Sequence, residues 1–223
     1  MLLKRVASYL PWPVRQTLRG YKYRLELAMG RFRSDEPEVD ELPSLVQPGD
    51  WVLDIGANVG QYTLRLSDLV GTEGRVIAFE PIVETAEILM GMSRRARYRN
   101  ISVLNAAVSD RAGLLSFRVP TSADRLPNYF QARVAADGDR LVPCFAIDDL
   151  HLPHRIALVK IDVEQHEVSV LRGMRNLIAR DLPALIIEAH EGVYGEFLRE
   201  HGYEMRPKAS GSSNLVFRSP RRV

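Results

Sequence analysis

The sequence predicts an α/β fold: a doubly wound, mostly parallel sheet with helices on both faces, an antiparallel edge hairpin and an N-terminal helical extension. Three observations predict it. Short apolar runs at residues 51–54, 75–80, 101–108, 156–162 and 184–189 alternate with segments of helical period, the pattern of parallel strands joined by crossover helices. A glycine loop, Asp54-Ile55-Gly56-Ala57-Asn58-Val59-Gly60, joins the first run to the helix after it. The last two runs, 203–206 and 214–218, are near enough in sequence to pair as a hairpin, which sets one antiparallel edge.

The chain has 223 residues, enough for one α/β domain and an appendage. The boundary falls near residue 45. Residues 1–45 read as a basic helical extension and an acidic linker, and 46–223 as the cofactor-binding domain. In the extension, Leu3, Val6 and Leu10 share a face, and Pro11-Trp12-Pro13 breaks the run. Val14, Leu18, Tyr21 and Leu25 then recur at helical spacing, opposite Arg15, Arg19, Lys22 and Arg31. Residues 1–33 hold eight Lys or Arg and one acid, Glu26, whereas residues 34–50 hold six acids and no base. Such asymmetry suits an arm that contacts something anionic, or the chain's own acidic segment. A lid or dimer helix comes first, a peripheral contact with an anionic membrane through residues 1–33 second, and nucleic acid last. Pro37, Pro43 and Pro48 mark the linker, with a short helical turn.

No stretch approaches the ~20 apolar residues needed to span a bilayer, and the N-terminal residues do not have the pattern of a signal peptide. A single cysteine, Cys144, excludes an internal disulfide and any multi-cysteine metal site. A cytoplasmic compartment is expected, with membrane association and homo-oligomer formation left open.

The glycine loop carries the first functional signal. Glycine lets a ligand approach the backbone, and the free N–H groups of the next helix face that ligand. A dinucleotide usually wants G-x-G-x-x-G, but Asn58 stands where a middle glycine would be. The acid just before the turn, Asp54, would repel a pyrophosphate and welcome an ammonium. The pattern therefore favours S-adenosylmethionine over NAD, with Gly56, Ala57, Asn58 and Gly60 around it. About 20 residues beyond the loop, the second strand ends in Glu80, suited to accept from both ribose hydroxyls. Pro81 opens the next helix, where a missing N–H costs nothing.

The helix from 61 to 70 should pack Tyr62, Leu66 and Leu69 inward and stop at Gly71 and Gly74. A second helix, 82–97, ends in Arg94, Arg95, Arg97 and Arg99, which oppose its dipole. Residues 101–108 form the third strand. Residues 114–119 alternate like a strand, and the polar run 120–140, with Tyr129 and Phe130 in its middle, reads as a substrate-facing excursion. Its return strand spans 141–145, with Pro143 and a buried Cys144, and residues 147–150 form a short helix. The fourth strand, 156–162, ends at Asp162, whose spacing to Gln165 also fits a capping box. A helix to about residue 180, a fifth strand ending Glu188-Ala189-His190 and a helix over 193–201 complete the alternation.

Four motifs occur in order: Asp54-Ile55-Gly56-Ala57-Asn58-Val59-Gly60; Phe79-Glu80-Pro81; Asn105-Ala106-Ala107-Val108-Ser109-Asp110; and Lys160-Ile161-Asp162-Val163-Glu164. Together they resemble the FkbM-type family of S-adenosylmethionine-dependent methyltransferases, over about residues 45–205. The resemblance implies a Rossmann-like sheet of the class I methyltransferase type. It also implies that Asn105, Ala106 and Ala107 line the adenine. One departure stands out: the family usually follows Val-Glu with Gly and a small residue or Asn, and here Gln165-His166 follow.

Methyl transfer needs an aligned nucleophile and, for a hydroxyl acceptor, a base. The candidates at strand ends are Lys160, Asp162, Glu188 and His190. Asp162 could hold either the methionine ammonium or the acceptor hydroxyl, Lys160 should share a strand face with it, and a histidine such as His190 is the side-chain type best suited to base work near neutrality. Asp162, Glu188 and His190 are also metal-ligand types, but their spacing requires no ion, and metal-free transfer is expected. The leading reading is an O-methyltransferase acting on a hydroxyl of a sugar, glycan or other small natural product. The alternatives are an RNA ribose methyltransferase and a non-catalytic cofactor-binding module.

Overall fold

The computed structural model describes residues 10–123, 126–188, 195–206 and 211–219. Five parallel strands build the centre: β1 (Trp51–Ile55), β2 (Arg75–Phe79), β3 (Ile101–Leu104), β8 (Ile156–Ile161) and β9 (Ala184–Glu188). The seven-stranded order is β10-β11-β9-β8-β1-β2-β3, where β10 (Glu204–Met205) and β11 (Asn214–Arg218) form the antiparallel edge. The doubly wound sheet and its edge hairpin therefore stand as expected. From β1 the chain winds outward through β2 and β3, then returns to lay β8 on the other side of β1. The order reverses between β1 and β8, which opens a crevice at their C-terminal ends.

Strand alternation fills two cores, one on each face. Leu53, Val159 and Leu185 face Val170, Met174, Leu177 and Ile178. Val170 comes from α5 (Glu167–Arg172), Leu177 and Ile178 from α6 (Arg175–Asp181), and Met174 caps the start of α6. Their neighbours Val52, Leu158 and Ile186 face Leu42 and Leu45 of α2 (Leu42–Leu45) and Tyr62, Leu66 and Val70 of α3 (Gln61–Val70). The remaining helices are α1 (Trp12–Ala28), α4 (Val83–Ser93) and α7 (Gly195–Glu200). Helix α1 packs on α4 through Tyr23, which with Phe32 joins Val59, Leu64, Ile88 and Met92. Residues 1–9 of the expected extension lie outside the described residues.

Four expectations are corrected. The run 101–108 is not one strand. It leaves the main sheet after Leu104, because the Asn105 amide donates to the carbonyls of Glu80 (2.8 Å) and Pro81 (3.0 Å). The chain then enters a second sheet, order β4-β7-β5-β6, built from β4 (Ala107–Val108), β5 (Gly113–Arg118), β6 (Arg133–Val134) and β7 (Arg140–Phe145). The long helix after Asp162 is in fact two. Gly173 lies so close to Ser109 that a Cβ there would sit 1.9 Å from its carbonyl oxygen. The Asp148 carboxylate accepts from the N–H groups of Asn176 and Leu177, both at 2.9 Å, and so starts α6 separately. Asp162 is not an N-cap, because α5 begins only at Glu167 with His166 in the cap position. The second helix stops at Ser93, where Arg95 donates back to the Gly91 carbonyl at 2.9 Å.

Candidate active site

The glycine loop turns directly over the end of β8. Gly56 has φ 81°, and a Cβ there would fall 1.7 Å from the carbonyl oxygen of Asp162. The N–H groups of Gly56 and Ala57 both donate to the Phe79 carbonyl at 2.9 Å, which ties the loop to the end of β2. Asn58 (φ 50°) and Gly60 (φ 97°) continue the left-handed turn into α3. Asn58 is tolerated there because its short polar side chain suits that region.

Glu80 is 5% exposed and holds three donors. Oε2 accepts from Asn58 N–H at 2.7 Å, and Oε1 accepts from Ile82 N–H at 2.9 Å and from the Thr85 hydroxyl at 2.6 Å. Burial pushes its carboxyl up to about 7, against the pull of those three donors. Each carboxylate oxygen has two acceptor sites, so capacity remains for ribose hydroxyls, which donate only to advantage when Glu80 is ionised. The sign follows. Below about pH 7 the carboxyl is protonated, and cofactor binding must expel that proton, so affinity falls as pH falls. S-adenosylmethionine should bind several-fold more weakly at pH 6 than at pH 8, approaching roughly tenfold per unit at lower pH. Calorimetry at pH 6 in buffers of different ionisation enthalpy should count close to one proton released, falling toward none at pH 8. A flat affinity from pH 6 to 8 would refute this role.

Asp54 sits behind the loop rather than in the cleft. It is fully buried and accepts from the Thr63 hydroxyl at 2.5 Å. Burial raises its pKa, and the nearby Lys160 ammonium opposes that rise. Lys160 is itself buried, with Nζ 2.7 Å from Asp162 Oδ2 and 4.6 Å from the centre of the Tyr62 ring. Burial alone would lower the Lys160 pKa, but the charges of Asp162 and Asp54 outweigh it and raise it, so the ammonium is retained. Lys160 thus backs two carboxylates, and only Asp162 opens to the cleft.

That cleft has a volume of about 260 Å³. Its floor is Gly56, Ala57, Asn58 and Gly60, with Glu80 and Pro81 on one wall and Lys160, Asp162 and Glu188 on the other. Ala106 and Ala107 also line it, whereas Asn105 is turned to its backbone clamp. His190 lies outside the described residues. The excursion 120–140 supplies Tyr129, Phe130, Ala132 and Val134, and the second sheet supplies Phe117. Sequence reasoning missed Ser34 and Glu36, hidden in a linker of acidic composition. It also read Tyr62 as core alone, although that ring lines the cleft too.

The turn after β8 gathers further acids. Carboxylate oxygens of Asp162, Glu164 and Glu188 lie within 4.8 Å of one another. These are hard oxygen ligands of the kind a divalent cation takes, but the Lys160 ammonium already supplies positive charge beside Asp162. His166 shares a 3.0 Å hydrogen bond with the Ser109 hydroxyl, and burial lowers its pKa. Gln165 has φ 73°. The turn needs the backbone geometry that glycine adopts without strain, and here the Gln165 N–H donates to Glu167 Oε1 at 3.0 Å.

A parallel sheet reversing beside β1, a glycine loop on its crevice and a buried acid at the end of β2 define the class I fold of S-adenosylmethionine-dependent methyltransferases. Residues 54–206 match the Methyltransferase FkbM domain, more than half of the chain. The chain belongs to the FkbM methyltransferase family and uses S-adenosylmethionine. It is 27% identical over 212 residues to the hexuronic acid methyltransferase AglP of Haloferax volcanii, covering 86% of this chain and 84% of that one. Among solved structures, methyltransferase FkbM from Methylobacillus flagellatus superposes with a TM-score of 0.54 at 20% identity. That match covers 81% of this chain and 50% of the other, so the chain spans half the length of that relative. Fibrillarin from Aeropyrum pernix, solved with S-adenosylmethionine, superposes with a TM-score of 0.50 at 18% identity, covering 80% and 72%. Both likenesses concern the fold. Among the described residues, no helix is long and apolar enough to cross a membrane.

Proposed function

We propose that the chain transfers a methyl group from S-adenosylmethionine to a hydroxyl of a sugar, glycan or similar small natural product. The observation that carries this reading is the Asp162 carboxylate. It is 30% exposed in the cleft, anchored from behind at 2.7 Å by a buried lysine. Such a group is both accessible and oriented, as a base for an acceptor hydroxyl must be.

The cofactor supplies a methyl group already activated by its sulfonium charge, and the rest falls to the chain. Glu80 takes the ribose hydroxyls, and the small side chains of Ala106 and Ala107 leave room for a flat ring. The Gly56–Gly60 loop offers its backbone. Asp162 accepts the hydroxyl proton, while Lys160 fixes its carboxylate against rotation. Glu188, beside it, shares the same wall. Tyr129 and Phe130 present aromatic faces to an acceptor, and the aliphatic face of a sugar ring packs well on such surfaces. Holding the two reactants in line supplies most of the acceleration in a transfer of this kind.

The hexuronic acid named for the Haloferax volcanii relative makes uronic acids the first acceptors to test. The cluster of Asp162, Glu164 and Glu188 would repel a uronate carboxyl, so a hydroxyl rather than the carboxylate should meet Asp162. The test is incubation with S-adenosylmethionine and a panel of hexuronic acid glycosides, neutral hexose glycosides and RNA, read by mass spectrometry. A methyl group that survives mild alkali is an ether on a hydroxyl. Loss of the label in alkali would identify a carboxyl ester and refute hydroxyl transfer. Methylation of RNA alone would refute the sugar acceptor.

A further inference from the structure

Helix α1 buries one face and leaves another apolar face bare. Tyr23 is buried against the domain, and Gln16 donates to the Glu84 carbonyl. On the opposite side, Val14, Leu18, Tyr21, Leu25 and Met29 follow one another at spacings of four, three, four and four. Leu18 is 52% exposed, Tyr21 64% and Leu25 48%. Five large side chains in one solvent-facing stripe are unusual on a helix already packed on its other side.

The charge beside the stripe decides what covers it. Lys22 flanks it and Arg24 stands at its α4-facing edge near Gly91; both are exposed, as are Arg31 and Arg33 just beyond the helix. The helix carries a single acid, Glu26, which already pairs with Lys22 at 3.5 Å. A second copy docked through this stripe would bring the same cations face to face, and like charges beside an apolar seam oppose pairing. An anionic lipid surface complements both features. Apolar side chains enter the headgroup boundary while Lys and Arg meet lipid phosphates. The helix is not long and apolar enough to cross a bilayer, so a lipid contact would run along its side.

We infer that α1 docks the enzyme on anionic membranes through Leu18, Tyr21 and Leu25, with Lys22 and Arg24 reading the surface charge. This docking places the cleft beside the bilayer. Trp12 donates to the Tyr129 hydroxyl at 3.4 Å, and the Arg19 guanidinium stacks 4.7 Å from the Tyr129 ring, which lines the cleft mouth. The inference stands on the helix alone and does not depend on the acceptor.

The experiment is vesicle co-sedimentation of the full chain, with phosphatidylcholine vesicles with and without phosphatidylglycerol. The protein should sediment with the phosphatidylglycerol vesicles and be released by added salt. Leu18→Glu/Leu25→Glu should weaken this binding by at least ~100-fold, and Lys22→Glu/Arg24→Glu by about 30-fold or more. Calorimetric binding of S-adenosylmethionine should be unchanged in both variants, which shows that the fold survives and keeps this test separate from the acceptor assay. No sedimentation of the wild-type chain would overturn the inference, as would equal sedimentation with pure phosphatidylcholine. A dimer in light scattering that Leu18→Glu/Leu25→Glu dissociates would overturn it too, and would assign the stripe to a second copy.

Discussion

Gly56→Ala will cost the protein both its cofactor and most of its stability. The added methyl would lie 1.7 Å from the Asp162 carbonyl oxygen and 2.8 Å from the carbonyl carbon, and both atoms are backbone. Neither can swing aside like a flexible side chain. The φ of 81° adds a second penalty for any residue with a Cβ. Relief requires β1 and β8 to part at their C-terminal ends, where Asp162 N–H donates to the Ile55 carbonyl at 3.0 Å. That movement would also pull Asn58 N–H away from Glu80. We expect a loss of about 4 kcal/mol or more in urea unfolding, the scale of a severe backbone clash, and no calorimetric binding of S-adenosylmethionine. Gly30→Ala is the control. Its φ is 67°, but nothing lies within 4 Å of the new Cβ. It should cost only ~1–2 kcal/mol, from left-handed strain alone, and leave cofactor affinity intact. If Gly56→Ala binds the cofactor normally and unfolds near the wild-type midpoint, the loop does not lean on Asp162 as described.

The features legible in the sequence are those carried by local chemistry. Strand ends announce themselves where an apolar run stops at an acid, as at Glu80, Asp162 and Glu188. The loop announces itself through Gly56 and Gly60. What escaped depends on partners distant in the chain. Residues 101–104 are strand-like and Asn105 is a turn former, but nothing local says that Ala107 and Val108 will pair with Cys144 and Phe145 instead of extending β3. Asp54 looked ligand-facing because it precedes the loop, but Thr63, nine residues on, captures it inside the core. The Thr63 hydroxyl, on the face of α3 that packs inward with Tyr62 and Leu66, was the available signal. Lys160 was legible as a partner of Asp162 because residues two apart in a strand share a face. Glu36 could not be placed, since acids in a proline-marked linker give no direction.

Asp162→Asn should lower turnover by about a hundred- to a thousandfold, the usual contribution of a positioned base. S-adenosylmethionine affinity should change little, because Glu80, the proposed ribose anchor, and the loop backbone are untouched. The amide still offers Lys160 an oxygen, so the variant should fold. Asp162→Ala tests the other half of the arrangement. It leaves a buried ammonium facing the Tyr62 ring and the Asp54 carboxylate, with no partner on the cleft side. Breaking such a pair from one end costs about 3 kcal/mol, so Asp162→Ala should melt earlier than Asp162→Asn while losing no less activity. Single-turnover methylation of the best acceptor, set beside urea unfolding, separates the two effects. Turnover of Asp162→Asn within tenfold of wild type would remove Asp162 as the base, and the role would pass to Glu188 on the same wall. The ordering of the two variants matters most. If activity tracked stability, Asp162 would be a fastening for Lys160. If Asp162→Asn keeps its fold and loses its chemistry, the buried lysine exists to hold one carboxylate at the reacting hydroxyl.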